Sequence, residues 1–124
     1  ALTDNFKKGR TGNSTLKMAI ESSKNAGLRP QIYTHPLGLY GHSAGTTFGM
    51  WDAQDGIPGS GEHPLYENTT YAIELNAKVF IEQWRKDVRI MLEEPGYFGP
   101  EGFRYINGRQ TNLILIGEKS NHIR

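Results

Sequence analysis

Two histidines and one glutamate are the side chains in this sequence best suited to chemistry. His35 and His42 stand seven residues apart around a glycine-rich turn that contains Gly38, and Glu74 follows in an alternating stretch. Imidazole and carboxylate are common ligands of divalent first-row metals, and glycine lets backbone, substrate and metal approach closely. The spacing therefore indicates a metal site, although three side chains are too few to complete one. The alternative is a turn-stabilising histidine followed by a solvent-facing one.

Composition limits the functions that this chain can have. Its 124 residues suffice for one domain with a single core, and its 14 basic and 13 acidic residues leave a net charge of +1. This balance offers no electrostatic footprint for nucleic acid or an anionic membrane, so neither is expected as a partner. The absence of cysteine excludes disulfides, thiolate metal sites and a cysteine nucleophile. No targeting leader and no apolar run of roughly 20 residues is present, which predicts a soluble chain whose localisation stays open.

The first half of the chain is predicted to carry one helix and an extended segment that ends at the first histidine. Residues 14–26 place apolar side chains at helical spacing, with Asn13 or Ser14 as the cap. Residues 1–9 resemble the tail of a helix cut from something longer. The extended segment 31–35 delivers His35 into the turn. A short strand is expected at 46–51 and an irregular loop at 52–68.

The second half of the chain is predicted to be β-structure. Apolar and polar residues alternate over 71–81, so that Glu74 shares a face with Asn76 and Lys78. A second alternation covers 88–92. Asn107 and Gly108 predict a tight hairpin turn, with residues 109–116 as the returning strand. The tail, residues 118–124, is polar and expected to fray.

The order of these parts resembles the C-terminal half of the creatinase/aminopeptidase, or pita-bread, metallopeptidases. His35, Gly38 and His42 look like the family motif H-x-x-G-x-x-x-H, and residues 71–76 look like the strand that carries a metal-binding glutamate. The resemblance implies an α+β fold, half of a pita-bread architecture, with a helix packed on a curved, mostly antiparallel sheet. It also implies that His35 binds metal, that His42 hydrogen-bonds the substrate, and that Glu74 is a ligand or a proton shuttle.

The sequence departs from the family pattern at the remaining ligands. The family's last glutamate falls on Gln110 in one alignment and on Met91 in another, and glutamine is a weaker, neutral oxygen donor. The family's two aspartates come from upstream strands, and Asp4 stands in a helix-like tail instead. We therefore expect residues 1–124 to be the C-terminal part of a pita-bread catalytic domain, a fragment of a longer protein. The predicted metal ligands are His35, Glu74 and Gln110.

The function implied by the resemblance is a metallopeptidase of the Xaa-Pro aminopeptidase or prolidase type. Metal-activated water would attack a short peptide, a glutamate would accept the proton, and His42 would stabilise the oxyanion. The implied cofactor is Mn, Zn or Co in the full-length protein, and whether this chain alone carries any metal is left open. The implied partners are the short peptide and the remainder of the catalytic domain, with a homodimer left open. The isolated chain is expected to bind Mn²⁺ or Zn²⁺ weakly and to be inactive.

Two other functions remain open on the same fold: a metal-free pseudoenzyme or peptide-binding module, and a creatinase-like C–N hydrolase. Several residues also have simpler interpretations. Glu74 can pair with Lys78 at the surface, which would contribute at most about 1 kcal/mol. The sequence favours a solvated His63, a core or interface position for Trp51 over a place in a substrate wall, and a solvated hairpin end at Glu93 and Glu94. Arg109 can bind a substrate carboxylate or cover a strand edge.

Overall fold

One helix is positioned by a side-chain cap and a glycine stop. The computed structural model describes residues 1–117, and its α-helix, α1, spans Gly12–Asn25. The Thr11 side chain accepts a hydrogen bond from the backbone N–H of Ser14 and caps the helix, so the prediction of a cap at Asn13 or Ser14 is wrong. Asn13 instead binds Ile57 through both its amide nitrogen and its amide oxygen. The helix stops at Gly27, which has a φ of +77°.

The strands in residues 1–117 are β1 (Arg29–Ile32), β2 (His35–Pro36), β3 (Thr69–Ile81), β4 (Lys86–Gly99) and β5 (Gly102–Tyr105). They form one antiparallel sheet with the order β1-β3-β4-β5, and β2 pairs with β3 beside β1. β1 and β2 keep a common register on β3, with Arg29 opposite Lys78 and His35 opposite Ala72. The extended segment predicted at 31–35 is therefore one interrupted strand that carries His35 onto the sheet.

The core lies between α1 and one face of this sheet. Its buried residues are Leu2, Leu16, Ala19, Ile32, Phe48, Leu65, Tyr71, Ile73 and Phe98. Phe6 packs its ring against those of Phe48, Tyr71, Phe98 and Phe103, at centroid distances of 4.9 to 5.6 Å. Residues 1–9 therefore do not continue a helix: a short 3₁₀ turn at Thr3–Asn5 leads Phe6 into the core.

One helix packed on a mostly antiparallel, open sheet confirms the predicted α+β class. The loop at 52–68 contains no helix and no named strand, as predicted. The strand expected at 46–51 is absent, because that segment makes only the isolated bridges Thr34↔Phe48 and Met50↔Ala53. Nowhere in residues 1–117 does a helix reach the length and apolar character needed to cross a membrane.

The predicted hairpin around Asn107 and Gly108 is wrong. β5 pairs instead with the preceding strand, β4, where Gly99 lies opposite Gly102. Residues 109–116 form no strand, and their four large apolar side chains, Leu113, Ile114, Leu115 and Ile116, are 75 to 97% exposed. The tail predicted to fray, residues 118–124, lies outside the described residues.

Candidate functional site

The face of the sheet that points away from α1 brings the predicted site residues together. Residues that oppose each other on neighbouring strands share a face, and every second residue along a strand returns to it. Tyr33 keeps this register between β1 and β2, since its backbone N–H donates to the Glu74 carbonyl at 3.0 Å. The face carries three columns of side chains: Gln31, Tyr33 and His35; Asn76, Glu74 and Ala72; and Met91, Glu93 and Pro95.

In the buried part of this face, a contact between ionisable groups joins His35 and Glu74. Nε2 of His35 lies 3.5 Å from Oε2 of Glu74, and the histidine is only 5% exposed. The other ring nitrogen, Nδ1, lies 3.0 Å from the Pro36 carbonyl oxygen. Because a carbonyl only accepts hydrogen bonds, Nδ1 carries a proton. A cation, either a second ring proton or a metal ion, fits between Nε2 and the carboxylate, because without one these two atoms are both acceptors.

A glycine turn places His42 over His35. The two imidazoles stack with their centroids 4.0 Å apart and an interplanar angle of 10°. The turn closes through a 3.0 Å hydrogen bond from Gly41 to the Gly38 carbonyl. A Cβ atom at Gly38 would lie 2.6 Å from the His42 carbonyl oxygen, so only glycine fits that position. His42 is exposed, which leaves one side of its ring free for a ligand.

Glu93 is the residue of this face that the sequence analysis misplaced. It lies directly opposite Glu74, well inside the long strand β4 rather than at a hairpin end, and its side chain is exposed. The β3–β4 hairpin turns at Glu82–Trp84, and Arg85 follows in the left-handed region with a φ of +49°. Counting backwards from such a turn pairs residue 93 with residue 74. Locating that turn in the sequence would therefore have identified Glu93.

Glu94 and Gln110 do not join this group. The Gln110 backbone N–H donates to the Glu94 carboxylate at 2.8 Å. Glu94 lies opposite Ile73, on the face that packs against α1. The structure thus places Gln110 on the helix side, away from His35 and Glu74. Met91, the other candidate for the last ligand position, does lie on the site face, opposite Asn76.

The other singled-out residues lie at different places. His63 is exposed, and only its backbone carbonyl is engaged, by Gly12. Arg109 lines a cavity of about 220 Å³ on the helix side of the sheet. Glu74 forms its ion pair with His35 and not with Lys78. Trp51 reaches the site face, where its ring meets Tyr33 edge-on at 5.8 Å.

The resulting site is a partial one. In the part of the chain that the structure describes, no group of three or more histidine, aspartate or glutamate side chains stands close enough to hold a metal ion. His35 and Glu74 are two potential ligand groups in contact, and Glu93 stands across from Glu74 as a second carboxylate.

Comparison with known proteins adds no relative. No protein-family model matches this chain, and no curated protein or solved structure matches it either. The similarity to pita-bread enzymes thus rests on the residues of this chain alone.

Proposed function

We propose that this chain is the C-terminal part of the catalytic domain of a pita-bread metallopeptidase of the Xaa-Pro aminopeptidase or prolidase type. The observation that carries the proposal is the pair of facing acceptors, Nε2 of His35 and Oε2 of Glu74, 3.5 Å apart. A hydrogen-bonded second nitrogen that fixes the ring and aims the lone pair is the usual support for a metal-binding histidine. The Pro36 carbonyl provides that support here.

The residues present fit a divalent cation such as Mn²⁺, Zn²⁺ or Co²⁺. His35 and Glu74 would hold it, and the exposed Glu93 is the nearest further carboxylate along the same row. When bound, such a metal supplies Lewis acidity that polarises a carbonyl and lowers the pKa of water. Gln110 stands on the other side of the sheet and has no part in this proposal.

The chain's own residues divide the remaining tasks. His42, exposed and held by its glycine turn, presents an N–H to the carbonyl oxygen of a bound peptide and stabilises the developing charge. Glu74 or Glu93 accepts the proton of the attacking water and returns it to the leaving nitrogen.

The missing ligands require a further partner, which we propose is the remainder of the same catalytic domain. β5 covers only residues Gly96–Gly99 of β4, and within residues 1–117 no strand pairs with the outer edge of residues 86–94. Ile90, Met91 and Leu92 are about half exposed along this stretch. An open strand edge with exposed apolar side chains is a natural docking edge for another strand. A docked strand would bring additional ligands next to Glu93.

The test is metal binding followed by cleavage. The isolated chain should bind Mn²⁺ or Zn²⁺ weakly by calorimetry and cleave no peptide, and the full-length product should cleave Xaa-Pro peptides in a metal-dependent way. His35→Ala should abolish the weak binding, whereas Lys78→Ala, on the same face but at its exposed end, should leave it unchanged. Equal metal affinity of the chain and its His35→Ala variant would exclude the proposed metal site.

A metal-free function is the second candidate, and a specific observation favours it. A proton between His35 and Glu74 satisfies the same two acceptors without a metal ion. A peptide-binding module or a creatinase-like C–N hydrolase would use the pair in that form. Full activity of the longer protein after exhaustive chelation would favour this candidate over the metallopeptidase.

A further inference from the structure

A row of aromatic rings leads away from the His35–Glu74 pair. His42 stacks on His35 at 4.0 Å, Tyr33 lies 5.1 Å from His35, and Trp51 lies 5.8 Å from Tyr33. Tyr33 and Trp51 are both partly exposed, so their surfaces remain open to a ligand. The two residues form a wall beside Glu74, because Tyr33 is its neighbour in the row across the sheet.

Trp51 is held in this wall by its backbone. It stands in a tight turn closed by two hydrogen bonds between Met50 and Ala53, of 3.1 and 2.9 Å. Gly49 precedes the turn with a φ of +65°, and a Cβ atom there would lie 2.5 Å from the Ile32 carbonyl oxygen. Glycine at this position therefore allows the turn to lie directly against the edge of β1.

A relay of two amides connects Trp51 to the middle of β3. The Gln31 amide nitrogen donates to the Trp51 carbonyl, and the Asn76 amide nitrogen donates to the Gln31 amide oxygen at 3.0 Å. Because the Trp51 carbonyl can only accept, it fixes the orientation of Gln31 and then of Asn76. Asn76 is 1% exposed, and its amide oxygen is left without a hydrogen-bond partner among the described residues. The relay thus holds Trp51 in place although one buried acceptor stays unpaired.

The backbone edge beside this wall is closed to strand-like ligands. Gln54 binds both the N–H and the carbonyl of Ile32 at 2.8 Å. Phe48 binds both backbone groups of Thr34, at 3.1 and 2.8 Å. The carbonyl groups of Ile32 and Thr34 are therefore already occupied and do not accept from the N–H of a ligand residue packed on the wall. Proline has no N–H, and aromatic surfaces are the usual lining of proline-binding grooves.

We infer that Tyr33 and Trp51 form the subsite for the proline ring of the substrate, with Gln31 and Asn76 as positioning residues that hold Trp51. This inference rests on the proposed Xaa-Pro specificity and names the side chains that recognise the proline. An ordinary residue in the same place brings an N–H that the paired backbone groups of Ile32 and Thr34 cannot accept, whereas proline brings none, so the subsite favours proline.

The two tryptophans of the chain allow a direct test. Trp84 lies in the β3–β4 turn and is 64% exposed. In the Trp84→Phe variant, tryptophan fluorescence comes from Trp51 alone. In the Trp51→Phe variant it comes from the distant Trp84 alone. Titration with the dipeptide Ala-Pro should change Trp51 emission with saturation in the millimolar range, and Ala-Ala should need at least about tenfold more. The Trp84 reporter should stay constant with both dipeptides. Equal responses to the two dipeptides, or no response of Trp51, would overturn the subsite.

The positioning role has its own readout. Gln31→Glu keeps an acceptor for Asn76 but removes the donor to the Trp51 carbonyl, so acrylamide should quench Trp51 more strongly and Ala-Pro should bind more weakly. Gln83→Glu, the same change at an exposed turn position, is the matched control. If acrylamide quenching of Trp51 and the affinity for Ala-Pro are unchanged in Gln31→Glu, Gln31 does not hold Trp51 in place.

The subsite and the proposed function can fail separately. If the full-length protein and its Trp51→Phe variant cleave Xaa-Pro peptides at the same rate, with no preference over other peptides, the peptidase stands and the subsite is excluded. A proline-selective response of Trp51 in a full-length protein that cleaves no peptide keeps the subsite and excludes the peptidase.

Discussion

The two faces of β3 show how one strand serves two opposite requirements. On the helix side, Tyr71 and Ile73 are at most 4% exposed and pack into the aromatic core around Phe6. On the other side, Glu74 remains partly exposed, and its carboxylate lies 3.5 Å from Nε2 of His35. The two faces therefore meet different demands: the helix side buries apolar rings, and the site side holds an ionisable pair at a partly exposed position.

The largest effect is expected on the helix side. Phe48→Ala removes a ring that is 0% exposed and contacts Phe6 and Tyr71, and should lower the free energy of unfolding by about 3–5 kcal/mol. Urea denaturation measures this loss. A loss below about 1 kcal/mol would mean that the core is not packed as described.

On the site side, His42→Ala should affect chemistry far more than folding. Because His42 is exposed, its removal should change the unfolding free energy little. In the full-length protein, turnover of an Xaa-Pro peptide should fall on the order of a hundredfold if His42 stabilises the oxyanion. Kinetics identical to the unmodified protein would exclude His42 from the mechanism.

Alkaline pH should weaken the helix side through Tyr71. Burial raises the pKa of this phenol from 10.0 to about 12. The unfolded chain therefore loses the proton first, so the contribution of Tyr71 is complete below pH 10 and is lost as pH rises towards 12. Tyr71→Phe should show a shallower fall of stability across this interval. Parallel pH profiles of the two proteins would contradict the burial of Tyr71.

The smallest effect is expected at the exposed end of the sheet, where Arg29 pairs with Asp87. A hydrogen bond from Arg29 lowers the pKa of the Asp87 carboxyl, so any stability from this pair is present at neutral pH and is lost as pH falls through the lowered pKa. An NMR titration of Asp87 should show its pKa rising in Arg29→Gln. Stability should hardly change, because exposed pairs contribute little. An unchanged pKa would show that the pair does not form in solution.

The sequence predicted local structure well wherever one pattern dominated. The helix and the alternation of β3 follow from apolar spacing, and the glycine turn between His35 and His42 follows from its own residues. The capping residue was missed because Thr11, Asn13 and Ser14 can each cap a helix. Only the hydrogen bond between Asn13 and Ile57, which the sequence does not show, leaves the cap to Thr11.

Positions that depend on pairing between strands were harder to predict. The place of Glu93 depends on where the β3–β4 hairpin turns, and no glycine or asparagine marks the left-handed residue, Arg85. The segment 109–116 has a strand-like pattern, but β5 already pairs with β4 through a turn at residues 100–101. A local pattern does not reveal that choice of partner. Gln110 was expected near the site because the alignment of this strand-like segment with the family motif put it at the last ligand position.

The central claim is that Nε2 of His35 and the Glu74 carboxylate are two acceptors prepared for a metal ion. Glu74→Gln tests it most directly, because the new amide N–H can donate to Nε2 while the amide remains a poor metal ligand. Calorimetric metal titration should show affinity falling by at least about tenfold, and urea denaturation without metal should show stability unchanged or raised by up to about 1 kcal/mol. Unchanged metal affinity together with a clear loss of stability would show that the pair is a structural ion pair, and would contradict the account.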